Sequence, residues 1–143
     1  MKLAAILAEF HEFEGKWDWH RPIGVRLEFA DAPPIRIELV SDGESMRVDS
    51  LPLEGPLDMG EYGATFIHDV SDRFAPELRG ADVCVKGIAA GGTPLAGVAL
   101  VRQGQVALCL WNWGDELLWG EWDVICRCDW DGAAPRLVPL PES

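Results

Sequence analysis

The sequence predicts an α+β, mainly β domain, with an N-terminal helix packed on a curved antiparallel sheet or a partly closed barrel. Three observations carry that expectation. Short stretches of alternating apolar and polar residues recur from Val25 onward, the period of a half-buried strand. Clusters of Gly, Pro, Asn and Asp punctuate them at short intervals, which suits hairpins and meanders. No crossover helices separate these stretches, so antiparallel connections are expected rather than βαβ units.

The elements follow in order. Leu3, Ile6, Leu7 and Phe10 fall at helical spacing, with Phe13 after them, while Glu9 and Glu12 face away; this predicts an amphipathic helix over Lys2 to Phe13, stopped at Gly15. In Val25 to Phe29 the apolar residues alternate with Arg26 and Glu28, and in Ile35 to Leu39 with Arg36 and Glu38. Each is a strand with one buried and one wet face. Ser41-Asp42-Gly43 is a turn signal, and Met46 and Val48 continue the alternation, so Ile35 to Val48 reads as a hairpin. Leu51 to Gly60 is a loop, Thr65 to Val70 a strand, and Ser71 to Gly80 a connector with one helical turn. Val83 to Ala89 is a strand closed by the Gly91-Gly92 turn. Leu95 to Val101 and Val106 to Trp111 form a hairpin around Arg102-Gln103-Gly104-Gln105. Asn112 to Asp115 is a turn, and Glu116 to Trp119 and Trp122 to Cys128 are strands. The expectation is about eight or nine short strands without a fixed-period repeat.

The chain has 143 residues, which suits a single domain over 1–143 with a core of its own and a Pro-rich tail over 135–143. Its net charge is −12. A field of that sign repels nucleic-acid phosphates and anionic membranes and attracts basic partners. The acids are concentrated: Glu54 to Glu77 holds six against Arg73, and Asp115 to Asp131 holds six against Arg127. The Leu3 to Ala8 apolar run ends at Glu9 without a cleavage pattern, so a cytoplasmic location is expected. Arg outnumbers Lys nine to three amid abundant Ala and Gly, the usage of a GC-rich bacterial genome. Cys84, Cys109, Cys126 and Cys128 read as thiols of a reducing compartment. Cys126 and Cys128 would share one strand face. No Cys-x-x-Cys spacing is present, so neither a metal nor another cofactor is expected.

Four of the seven tryptophans and three carboxylates fall between Trp111 and Trp122. Leu108 and Leu110 share the face opposite Trp111, so that strand is apolar on both sides and should be central, with Trp111 in the core. Trp113, Trp119 and Trp122 border turns and are the exposed-platform candidates. Glu121 and Asp123, on one strand face, would approach the separation that a glycosidase needs. His20 with Asp18 and His68 with Asp69 could each form an acid–base pair, but no serine or cysteine stands at a recognised spacing from either. No nucleophile elbow, P-loop or dinucleotide fingerprint occurs.

Asp58-Met59-Gly60-Glu61-Tyr62-Gly63 and Trp111-Asn112-Trp113-Gly114-Asp115-Glu116-Leu117 resemble segments of small bacterial β-rich proteins. In size, acidity and lack of a catalytic motif the chain resembles immunity proteins of bacterial toxin systems. That likeness is one of class and assigns no residue a role. The expected function is a non-enzymatic immunity- or inhibitor-type protein that engages a basic protein partner through Trp113, Asp115, Glu116, Trp119, Glu121 and Asp123. The alternatives are a carbohydrate- or small-ligand-binding module using tryptophans, and a carboxylate-dependent hydrolase.

Overall fold

A computed structural model describes residues 1–40 and 46–141. It contains two five-stranded antiparallel sheets that face each other. The first has the order β4-β3-β2-β1-β5, formed by β1 (Leu3–Glu12), β2 (Gly24–Phe29), β3 (Ile35–Leu39), β4 (Met46–Asp49) and β5 (Ala64–Asp69). The second has the order β10-β6-β7-β8-β9, formed by β6 (Cys84–Ala90), β7 (Thr93–Arg102), β8 (Gln105–Trp113), β9 (Glu116–Gly120) and β10 (Arg136–Val138). Two short helices, α1 (Ser71–Phe74) and α2 (Trp122–Cys126), complete the fold. Among the described residues no helix is long and apolar enough to cross a membrane. The expected mainly β character and antiparallel meanders are present; a closed barrel is not, because the sheets remain separate layers.

The expected N-terminal helix is a strand, β1. Ile6, Ala8 and Phe10 are buried at strand alternation, and a register shift between Leu3 and Ala5 puts Leu3 out of phase with them. A bulge inserts one residue into a strand's period of two. The resulting three-residue gap from Leu3 to Ile6 mimics a helical repeat. With β2 on one side and β5 on the other, β1 is internal to its sheet.

Between the sheets lies the main core, which includes Ile6, Phe10, Leu27 and Ile37 from the first sheet and Val98, Leu100, Leu108 and Leu110 from the second. The β3–β4 hairpin forms as expected; its Ser41-Asp42-Gly43 turn lies outside the described residues. Leu51 to Asp58 crosses the polar face of the first sheet. There Leu53 is buried near Gly24, Pro52 O accepts from Arg36 Nη1 at 3.1 Å, and Gly55 N donates to Glu9 Oε1 at 3.0 Å.

A second apolar cluster occupies the other side of the second sheet. Ile88, Ala99, Cys109, Trp111 and Ile125 form it, so β8 is covered on both faces and Trp111 is buried, as its sequence implies. The cover is α2, where a strand over Trp122 to Cys128 was expected. Ile125 is buried in this cluster, with Trp122 and Cys128 packed against it three residues to either side, the spacing of one helical face. Gly120 lies against both Trp111 and the helix, since a Cβ there would make ordinary contact with Trp111 Cη2 at 3.4 Å and with Val124 Cβ at 3.7 Å. Cys126 and Cys128 therefore do not share a strand face. The expected turn over Asn112 to Asp115 is tighter: β8 runs through Trp113, and only Gly114 and Asp115 turn, at φ +59° and +64°. The tail is not wholly irregular either, since β10 pairs with β6.

Candidate functional site

A cleft of about 530 Å³ opens at one end of the second sheet, where the β6–β7 turn, the end of β8 and the segment after α2 converge. Its walls include Thr93, Asn112, Trp113, Asp129, Trp130 and Asp131. Local chemistry brings them together. Gly91 turns at φ +57°, its N–H donates to Ala133 O at 2.6 Å, and a Cβ there would stand 2.6 Å from Asp131 O. Only glycine suits both that dihedral and that approach. The chain after α2 is thereby held against the turn. Trp130 is fixed by its Nε1, which donates to Ile125 O at 2.9 Å. Its ring meets Trp113 edge to face, with centroids 5.0 Å apart and planes at 76°.

The surroundings are acidic. Asp129 and Asp131 flank Trp130, Asp115 stands at the adjacent turn, and Glu121 and Asp123 begin α2; all five are exposed. Among the described residues none of the five forms an ion pair. The negative charge of this end therefore outweighs Arg127, the base of the same stretch.

The six residues expected to contact a partner do not share one surface. Trp113 lines the cleft and Asp115 neighbours it. Glu116 is engaged by Arg21 at 2.7 Å. Trp119 packs against the main core, stacked on Phe74 at 4.0 Å, and its Nε1 donates to Trp19 O at 2.9 Å. Trp113, Trp119 and Trp122 are all partly buried, where exposed platforms were expected. Glu121 is the N-cap position of α2 and Asp123 lies in its first turn, so the expected strand-face pairing of these carboxylates is lost. Trp130, Asp129 and Asp131 were not singled out. Their signal was an acid–Trp–acid triplet matching Glu121-Trp122-Asp123.

The expected acid–base pairs are absent. The His68 ring stacks on Trp17 at 5.4 Å, while the Asp69 carboxylate accepts from Ser71 Oγ and Arg79 Nη2. His20 stacks on Trp119, and only its backbone N–H reaches Asp18. Burial pushes the Cys109 thiol up to about 12 and raises Cys126 and Cys128 as well. Among the described residues no three His, Cys, Asp or Glu side chains form a metal-binding group. No protein-family model, curated protein or solved structure matches the chain.

Proposed function

We propose that this chain is a binding protein, immunity- or inhibitor-like in character, that engages a basic protein partner through the acidic end of its second sheet. The Trp113–Trp130 cleft receives a Lys or Arg side chain of that partner. One observation carries this reading: two indoles line a single cleft together with Asp129 and Asp131, which form no ion pair among the described residues. Aromatic faces attract a cation through their quadrupole, and carboxylates add a direct charge interaction. The cleft is large enough to admit such a side chain, its volume falling within the range of small-molecule sites, roughly 300 to 1,000 Å³. The −12 charge adds long-range steering toward a basic surface.

The ring geometry favours a cation over a sugar. At 76° the two indoles form a corner rather than the flat platform that pyranose stacking uses. The hydrolase reading has lost its paired carboxylates to the helical placement of Asp123.

NMR titration with N-acetyl-arginine methylamide tests the proposal. The Trp113 and Trp130 indole resonances should shift, and binding should weaken as salt rises from about 0.01 to 0.15 M. Trp113→Ala should weaken it about ten-fold, as should Asp129→Asn combined with Asp131→Asn. Silence toward the arginine probe, with shifts on adding neutral oligosaccharides, would replace this reading with the carbohydrate one.

A further inference from the structure

The cleft between Trp113 and Trp130 is built more narrowly than a general cation site. Both indoles line it, and both pack against the Trp111 cluster. Trp130 is held in place by the bond from its Nε1 to Ile125 O at 2.9 Å. With centroids 5.0 Å apart and planes at 76°, the rings border the cleft with two near-perpendicular faces. Ala90, Gly91, Gly92 and Ala96 make up much of the remaining lining and carry no side-chain donor or acceptor. Among the described residues the charged side chains of the lining are Asp129 and Asp131, both exposed.

These features discriminate between kinds of cation. A primary ammonium and a guanidinium carry several N–H donors, each of which needs an acceptor once its water is displaced. Ring faces and the Ala and Gly wall supply none. Asn112 is buried and already engaged, and the two exposed carboxylates gain little from a directed bond in water. A trimethylammonium group has no N–H donor to satisfy. It is also close to spherical, so it touches two perpendicular ring faces at once, whereas a planar guanidinium stacks on one. The carboxylates then act on it through charge alone, which needs no fixed geometry.

We infer that the cleft takes an N-methylated ammonium group in preference to a primary ammonium or a guanidinium. This preference rests on the reading of the cleft as a cation site and narrows it. Two sources carry the group, a methylated lysine of a protein partner and a free small quaternary amine. The test titrates the full chain with N-acetyl-lysine methylamide, its Nζ-trimethyl form, choline, and the uncharged isostere of choline in which a tert-butyl group replaces trimethylammonium. The Trp113 and Trp130 indole resonances report binding. The trimethyl form should bind about ten-fold tighter than the unmodified lysine, and choline about ten-fold tighter than its uncharged isostere. Trp113→Leu, which keeps apolar bulk and removes a ring face, should abolish the preference for the trimethyl form; the ranking of probes on the native protein stands whether or not that variant folds. Tighter binding of the trimethyl-lysine probe than of choline assigns the group to a partner's side chain, and equal affinity assigns it to a free amine; both outcomes support the preference. Equal or weaker binding of the trimethyl form than of lysine, with the indoles still shifting, would overturn it and leave the cation reading standing. So would equal affinity for choline and its isostere, since apolar contact alone would then explain binding. Silence toward every cationic probe, arginine included, would remove both.

Discussion

Arg36 shows how far a residue's fate departs from the alternation that places it. Its position on β3 assigns it to the face away from the core, yet it is 4% exposed. Asp49 on the neighbouring strand accepts from Nε at 2.8 Å and from Nη2 at 2.7 Å, and Pro52 of the crossing loop takes Nη1. The bidentate bond holds the Asp49 carboxyl below its ordinary value of 3.8 and raises Arg36. A carboxyl depressed in the folded state adds stability above its ordinary pKa, and that contribution fades as pH falls through the folded value. Asp49→Asn should cost about 3 kcal/mol at pH 7 in urea unfolding, since it removes the bidentate partner of a buried guanidinium and leaves Glu38, 3.4 Å from Nη2, as the closest counter-charge. It should also flatten the loss of stability below pH 3.8, where the unfolded chain's carboxyl takes up a proton that the native one still refuses. Parallel stability–pH curves for the two proteins would contradict this role. Glu9 follows the same logic. It was expected to face water on a helix; instead it is buried beneath Gly55, with Oε1 bonded to that residue's N–H. Neither fate is legible in local alternation, because a loop distant in sequence supplies the cover.

At the scale of elements, legibility tracks how many residues repeat without interruption. β2, β3, the β3–β4 hairpin and the β7–β8 hairpin were readable because apolar and polar residues alternate cleanly within them. β1 imitates a helix because one bulge shifts its phase. α2 imitates a strand because five residues are too few to separate a period of two from one of 3.6, and contact with the Trp111 face decides between them. β7 and β8 form the structural centre, and at Gly97 they leave no room for a side chain. A Cβ there would overlap Leu110 O and stand 2.9 Å from Trp111 Cβ. Gly97→Ala should therefore destabilise the protein by about 2 kcal/mol or more in thermal or urea unfolding. Gly92→Ala is the control, because a Cβ there meets nothing within 4 Å. Equal stability of the two variants would show that the strands part without strain.

On the scale of the whole molecule, two cores share one sheet: the larger between the sheets and the smaller beneath α2. Thiol labelling reads this arrangement directly. Cys84 and Cys126 are exposed, whereas Cys109 is buried beneath α2 with its thiol pushed up to about 12. Native protein at pH 8 should label at Cys84 and Cys126 well before Cys109, which should react only at the rate of unfolding. Rapid native labelling of Cys109 would show that α2 detaches from the sheet. The candidate site was half legible for a related reason. Trp113 and the acids around it stood out by composition, but Trp130, Asp129 and Asp131 join them only because the chain after α2 returns to the Gly91 turn. By itself the sequence determined the mainly β character, the antiparallel meanders, the burial of Trp111 and the acidity, since each follows from composition or from a period within a few residues. Only the tertiary structure decided that β1 is a strand, that Trp119 turns inward, that Arg36 and Glu9 are covered, and which tryptophan and acids line one cleft. Those outcomes depend on contacts between segments far apart in the chain, and local periodicity carries no information about which distant segment supplies them.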